Sequence, residues 1–404
     1  MKILMLSGIY DEEIEQQVKE NSKRYYDIAA LSFERKLYSG FKNNGEDFIF
    51  LSAPFIGSFP DRYKKWYFRP NSNKTVNSIK YVPFNNVWGI RNISRTFHLK
   101  KEIKNFCMEQ GAKGIVVYGP HVPFMETAKY AKQLDPQIQV CLIVPELSEF
   151  AVRDKKRKPL YRLLKPFDIK RVRKLYAYMD SYVLLTEQMK EYIPINHKPY
   201  FVVPGITVEP NVVLPSYEKR KNYITFTGNL NSEFGILNLL YAFEKIKRKD
   251  YMLIICGGGE NEEKVREAAR LNERIRYLGV VTQDRAREII AESKIVVSPR
   301  TNVGEYTKYT FPSKMLEYMS SGGLVVSYDL DGMGNEIRQH LILAKDNSVD
   351  GLVEAIDRAI NMDEKEAEKR RISTQEYLKD NVNAKVVTRR IKKMMVKNNE
   401  IIKE

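Results

Sequence analysis

A chain of 404 residues and 47.2 kDa has room for two or three domains of roughly 100–200 residues each, and its 43% hydrophobic and 29% charged residues exclude a disordered or collagen-like polymer. Cys107, Cys141 and Cys256 are scattered without a CxxC pair, which gives no disulfide framework and fits a reducing, cytoplasmic compartment. The formal charge is +16, and residues 1–200 carry +13 of it, so the expected partner is a polyanion, an anionic membrane or a phosphorylated ligand.

The chain opens on KILML (2–6), and MKILMLSGIYDEE turns acidic too early for a signal peptide. No apolar run reaches the ~20 residues of a spanning helix. DFIFL (47–51), GIVVY (114–118), QVCLIV (139–144) and SYVLL (181–185) follow, each separated from the next by longer stretches. Near 202–222 three prolines and a glycine interrupt the pattern, and it then restarts with YITFT (223–227), YMLII (251–255), KIVVS (294–298) and LVVS (324–327). Helical periodicity fills 233–248, 260–271, 283–292 and 347–361, and 364–404 reads as two charged helices with no strand after them. Strands this apolar, alternating with helices, predict parallel sheets covered on both faces. The reading is α/β, two Rossmann-like doubly wound domains.

In such sheets ligands bind beyond the carboxyl ends of the strands. The loops to inspect are therefore Ser7-Gly8-Ile9, Gly228-Asn229, Gly257-Gly258-Gly259 and Pro299-Arg300. None completes GxGxxG or GxxxxGK[ST], so a conventional dinucleotide site or P-loop lacks its phosphate cradle. The densest stretch is SPRTNVGEYTKYTFPSKMLEYMSSGGLVVSYDLDG (298–332). It sets Arg300, Lys308 and Lys314 around a helix that Pro312 begins, an arrangement suited to phosphate. Glu317, about one turn in, is placed to accept the hydroxyls of a ribose, or else to pair with Lys314 at i,i+3.

These residues resemble the signature of GT-B-fold glycosyltransferases, in particular the retaining, nucleotide-sugar-dependent enzymes of family four. YITFTGNLNSEFGILNLLYAFEKIK (223–247), LIICGGGENEEKV (253–265), RIRYLGVVTQDRAREIIAESKIVVSPR (274–300) and FVVPGIT (201–207) are similar to further blocks of that family, in its order and spacing. The resemblance implies two domains facing across a cleft. Residues 1–205 would bind the acceptor and 206–375 the nucleotide-sugar donor, with a helix in 376–404 packing back on the first domain. It implies that Glu317 holds the ribose, that Thr310, Phe311 and Pro312 border the phosphates and sugar, and that Gly279 and Val280 lie near the base. His121, in YGPHVPF (118–124), resembles the first-domain histidine that approaches the donor sugar. Gly8, Gly228, Asn229 and Gly257 complete the expected donor contacts.

The sequence departs from the family in three places. Tyr309 stands where a glutamate is usual, and Asn229 and Phe234 stand where an arginine and a lysine usually pair the diphosphate. Arg300, Lys308 and Lys314 are the substitutes at hand, and Arg300 and Lys314, with His121, are the expected catalytic residues. No metal and no cofactor is expected, since the four histidines form no HxxxH and the DLD at 329–331 sits in a turn.

Two segments concentrate the positive charge. Residues 61–104 hold 11 basic residues together with Trp66 and Trp88, the only tryptophans. Residues 153–176 hold another 11, among them Lys155, Lys156, Arg157, Lys158, Arg171 and Arg173, interspersed with leucines. Such a surface suits an anionic bilayer, and the alternative is a solvated helix face with its leucines in the core. The expectation is a cytoplasmic glycosyltransferase, peripheral on the inner face of the cell membrane. Its acceptor would be a lipid-linked saccharide or glycan of capsule, exopolysaccharide or O-antigen assembly. The competing readings are a nucleotide-sugar 2-epimerase of the same fold, a catalytically inactive partner subunit, and a nucleic-acid-binding protein, for which no module is present.

Overall fold

Strands buried on both faces need helices on both, and a parallel strand can be reached only by a crossover. The computed structural model describes residues 1–23, 28–70, 75, 77–109, 111–150, 159–208, 214–302 and 304–401. It divides into two units, Met1–Ile206 with Asn383–Glu404, and Thr207–Val382.

The strands of the first unit are β1 (Ile3–Ser7), β2 (Phe48–Ser52), β3 (Tyr67–Phe68), β4 (Ile79–Tyr81), β5 (Phe84–Asn85), β6 (Gly114–Tyr118), β7 (Gln139–Val144), β8 (Ser181–Leu184) and β9 (Tyr200–Val202). Seven of them form a sheet in the order β4-β2-β1-β6-β7-β8-β9, parallel throughout, and β3 with β5 makes a separate antiparallel pair. Every residue of β1, β6, β7 and β8 is buried, the physical reason these strands read as unbroken apolar runs. The helices are α1 (Glu12–Asn21), α2 (Ile28–Asn43), α3 (Arg91–Met108), α4 (Val122–Leu134) and α5 (Pro159–Leu175).

The strands of the second unit are β10 (Lys221–Thr227), β11 (Met252–Cys256), β12 (Ile275–Tyr277), β13 (Ser293–Ser298), β14 (Leu324–Ser327) and β15 (Ile342–Leu343). They form one parallel sheet in the order β12-β11-β10-β13-β14-β15. Its helices are α6 (Ile236–Lys245), α7 (Glu262–Leu271), α8 (Gln283–Glu292), α9 (Ser313–Ser321), α10 (Asn335–Arg338), α11 (Val349–Ile360) and α12 (Glu364–Tyr377). Thr282, Ser348 and Asp363 cap α8, α11 and α12 with side-chain oxygens.

After α12 and a short π-helical turn over Leu378–Val382, α13 (Ala384–Ile401) returns to the first unit. There it lies against α2 so closely that a Cβ on Gly40 would sit 2.3 Å from the carbonyl oxygen of Ala384. Asn44 Nδ2 donates to Lys385 O at 2.8 Å and to Thr388 Oγ1 at 2.9 Å. The units divide after 206 and after 382, against the expected 205 and 375. The end of α12 stays with the second unit because Gln375 Nε2 donates to Met319 O at 2.8 Å.

In each sheet the chain builds outward from one strand and then reverses to its other side. The reversal lies between β1 and β6 in the first sheet and between β10 and β13 in the second, and it is there that the loops diverge and leave room for a ligand.

Arg220 fastens the second sheet below that point. Its buried guanidinium donates to Ala291 O at 2.7 Å, Ser321 O at 2.9 Å and Pro215 O at 3.2 Å. Burial brings its pKa down to about 10, which leaves it charged at neutral pH. Arg220→Met would leave these carbonyls without a donor, at a cost of about 3 kcal/mol. The expected drop in the melting temperature of the second unit is roughly 6–12 °C by calorimetry. An unchanged melting temperature would show that the carbonyls find other donors.

Candidate functional site

On one side of the second reversal the ends of β10, β11 and β12 are laced together by their backbones. Gly228 N–H donates to Cys256 O at 2.9 Å, Leu230 N–H to Gly258 O at 3.0 Å and Gly257 N–H to Gly279 O at 2.8 Å. Gly257 has φ +138° and a Cβ there would lie 1.7 Å from Gly228 O, so only glycine lets the two turns meet. Asn229 Oδ1 accepts the Asn231 N–H at 2.8 Å, which closes the turn. Beside Gly279, the Val280 side chain is 79% exposed.

On the other side β13 ends in Pro299-Arg300. The start of α6 rests on this turn: Gly235, at φ +77°, would place a Cβ 1.8 Å from Pro299 O. The Arg300 guanidinium carbon lies 5.7 Å from the ring centroid of Tyr306 and forms no ion pair among the described residues. Lys308 is exposed, and Phe311 is buried. Tyr309 is 1% exposed, with its phenol 3.5 Å from Glu305 Oε1. Its side chain is therefore packed into the protein where the family has a carboxylate. Thr310 Oγ1 is buried without a hydrogen-bond partner. Pro312 is the N-cap of α9 rather than its first helical residue, and no side chain caps that end.

Lys314 Nζ lies 3.6 Å from Glu317 Oε2 and 3.4 Å from Thr227 Oγ1. The i,i+3 pair anticipated as the alternative to a ribose contact is thus present, and it leaves both groups half-buried at the reversal. A helix N-terminus without a side-chain cap, a partnerless hydroxyl and two cations are groups whose chemistry suits an anion. A carboxylate one turn away adds an acceptor for hydroxyl groups. Among the described residues no three His, Cys, Asp or Glu gather as a metal site. Asp329 is taken by Arg338 at 2.7 Å and Asp331 by Asn302 at 3.2 Å.

The first reversal is apolar. Gly8 is buried, its N–H donates to Glu34 Oε1 at 2.7 Å, and a Cβ on it would meet the Phe55 ring at 2.2 Å. Phe55 stands edge-on to His121 at 5.3 Å, Phe124 packs on the imidazole at 4.7 Å, and the two phenylalanines meet each other at 5.6 Å. His121 begins α4, and its Nδ1 is buried with no partner. Burial, then the charges of Arg95 and Arg91, hold its pKa well below the ordinary imidazole value, so the ring is neutral. Arg95 is 1% exposed, lies 4.2 Å over the Phe84 ring, donates to Pro54 O and leaves Nε unpaired. Its place beside the histidine was not legible in the sequence, where it is one of many basic residues.

The basic surface of the first unit carries apolar side chains. Trp66 and Trp88 are exposed. Ile90, at the N-cap of α3, also faces solvent, as do Ile93 and Phe97, one turn apart on that helix, at 68% and 66%. On α5, Leu164 and Phe167 are exposed while Val172 and Leu175 are buried, so its leucines divide between surface and core. Glu126 of α4 takes Arg171 of α5 at 3.0 Å and Lys100 of α3 at 3.9 Å, which puts α3 and α5 on either side of α4. Arg173 pairs with Glu149 at 3.0 Å. Lys155, Lys156, Arg157 and Lys158 lie outside the described residues.

Residues 215–377 match the family model described as Glycosyl transferases group 1. No curated protein sequence matches the chain. Among solved structures it is similar to the lipopolysaccharide outer core galactosyltransferase WaaB, at 14% identity and TM-score 0.62 over 100% of both chains. It is also similar to alpha,alpha-trehalose 6-phosphate synthase from Burkholderia multivorans, at 11% identity and TM-score 0.64 over 100% of this chain and 98% of that one. A third is Anabaena Alr3699/HepE in complex with UDP, at 12% identity and TM-score 0.62 over 98% and 100%. At these identities the likeness carries the fold, which is GT-B.

The environment of His121 makes a measurable claim. Its ring resonances are expected to stay constant from pH 8 to pH 6 by NMR, because burial and two nearby guanidinium groups oppose protonation. Arg95→Met should move its titration upward. A midpoint near the ordinary value of ~6.5 in the unmodified protein would show that the ring is open to water.

Proposed function

We propose that this chain, a group 1 glycosyltransferase of the GT-B fold, holds a nucleotide-sugar donor at the β10/β13 reversal and passes the sugar to a lipid-linked saccharide or glycan. The observation that carries the reading is the set of unmet polar groups around α9. The Thr310 hydroxyl lacks a partner, no side chain caps the N-terminus of α9, Arg300 forms no ion pair among the described residues, and Lys314 and Glu317 lie on the helix itself. Glu317 accepts the ribose hydroxyls, and Gly279 and Val280 border the base. Arg300, Lys314 and the N–H groups of α9 stabilise the departing diphosphate, whose negative charge grows as the glycosidic C–O bond breaks. The acceptor hydroxyl attacks from the face that the diphosphate leaves and passes its proton to the departing diphosphate oxygen, and configuration is retained. A dry, neutral His121 offers a hydrogen bond rather than a proton.

Family membership supports transfer from a nucleotide sugar, and Alr3699/HepE in complex with UDP supports a nucleotide of that kind. Calorimetry with UDP, GDP, CDP and ADP tests it. One nucleotide should bind, and Glu317→Ala should weaken it roughly 10- to 100-fold through the lost hydrogen bonds to a charged group. If both Arg300→Ala and Lys314→Ala kept full affinity and turnover, the diphosphate assignment would fall.

We further propose that the acceptor is met at an anionic membrane on the cytoplasmic side, within capsule, exopolysaccharide or O-antigen assembly. The exposed Trp88 and Ile90 in the turn before α3, Ile93 and Phe97 on α3, Leu164 and Phe167 on α5, and the basic residues around them support it. Each basic side chain near an anionic leaflet contributes about 1 kcal/mol. The protein should float with anionic vesicles and remain behind with zwitterionic ones, and Ile93→Asp with Phe97→Asp should release it. Binding to neither vesicle type would remove the membrane.

A further inference from the structure

The ladder between β10 and β13 ends early. Its last pair is Thr225 with Val296; beyond it β10 stays with β11 as far as Thr227 and Cys256, and β13 stays with β14 as far as Ser298 and Ser327. Thr227 therefore reaches the split with no strand residue of β13 opposite it. A buried backbone N–H and C=O in that position must find other partners.

One side chain supplies both. Tyr318, 2% exposed on α9, accepts the Thr227 N–H at 3.0 Å through its phenol oxygen and donates its own proton to Thr227 O at 2.7 Å. One turn earlier on the same helix, Lys314 Nζ lies 3.4 Å from Thr227 Oγ1. Helix α9 thus holds Thr227 at its amide, its carbonyl and its hydroxyl. The next residues in the chain are Gly228 and Asn229, the turn laced to Gly257.

We propose that Tyr318 is a positioning residue for the donor diphosphate. Its phenol takes the place of the missing strand and fixes the Gly228 turn relative to the N-terminus of α9, so that turn and helix meet the diphosphate as one rigid cradle. The inference rests on the donor reading given above and adds to it a residue that touches neither substrate. Tyr318→Phe keeps the ring in the core and deletes both hydrogen bonds. The turn is then free to move against the helix, while Glu317 keeps its place.

The test compares two ligands: whichever of UDP, GDP, CDP and ADP binds the unmodified full-length protein best, and its nucleoside monophosphate. In Tyr318→Phe the diphosphate should bind roughly tenfold more weakly, the loss expected from one to two net hydrogen bonds. The monophosphate should change less than about twofold, since a tenfold loss in both would mean that the nucleoside end was disturbed as well. Amide exchange at Thr227 and Gly228 should accelerate while the core of β11 stays protected. A lower melting temperature with both affinities unchanged would make Tyr318 merely structural and overturn the proposal. Equal weakening of both ligands would overturn it too. If none of the four nucleotides binds the unmodified protein, the donor reading fails before the variant is compared, and this inference goes with it. Should Tyr318→Phe fail to fold, Thr227→Val takes its place, because it removes the hydroxyl that Lys314 and the Tyr318 phenol meet: it should weaken the diphosphate alone, and unchanged affinity would overturn the proposal.

Discussion

A parallel sheet that reverses its direction of growth must contain two neighbours that part company, and the backbone groups at the parting have no strand to bond. That constraint organises both units. At the β10/β13 split the Tyr318 phenol satisfies Thr227. At the β1/β6 split the ladder closes at Leu6 and Val117, and the Gly8 N–H just beyond is met by the buried carboxylate of Glu34 on α2. In each case a fully buried polar side chain from a helix stands in for the absent strand. A backbone amide unmet in the interior costs as much as a lost hydrogen bond, so these substitutions are conditions for opening a ligand-sized gap in a closed sheet.

Around those gaps the charges are placed to be used. Many cations of the second unit are spent on surface pairs such as Lys245 with Asp350 or Arg285 with Glu288, which contribute little to stability. Arg300 is not spent, and Lys314 is only loosely held at 3.6 Å from Glu317. In the first unit Arg95 is buried against the Phe84 ring with Nε unpaired. A guanidinium removed from water without a counter-charge is expensive. Here its effect is electrostatic: after burial of the imidazole itself, its charge and that of Arg91 keep the neighbouring His121 neutral.

The long central strands were legible because burial on both faces writes an unbroken apolar run into the sequence. β3, β5 and β15 have two residues each, and β9 has three, too few for any periodicity to appear, and so they emerged only in three dimensions. Glycines at 228, 257 and 279 could be marked as turn residues, but their lacing depends on which strands are neighbours. Arg300, Lys314 and Glu317 were visible through spacing on one helix and its approach. Tyr318 was not, because an aromatic residue on a core-facing helix position reads as packing, and only its phenol oxygen reveals its task. Asn229 was legible as the residue standing where a cation is usual and as an expected donor contact, whereas its side-chain oxygen is engaged in closing the turn.

That engagement changes how the missing cations should be understood. A family arginine in the turn after β10 would reach the diphosphate from the β10 side of the split. Here the turn offers backbone and an amide already in use, and the available positive charge comes from Arg300 after β13 and Lys314 on α9, on the opposite side. In the proposed donor site, moving the charge across the split would set the cations on one side of the diphosphate and, on the other, a turn whose N–H groups at Gly228, Leu230 and Asn231 are already bonded. Backbone groups cannot swing to follow a ligand as a lysine can, so their spacing from the cations must be set in advance. The three contacts of α9 with Thr227 set it. A chain that has exchanged long cationic side chains for a fixed peptide turn depends on the residue that fixes the turn.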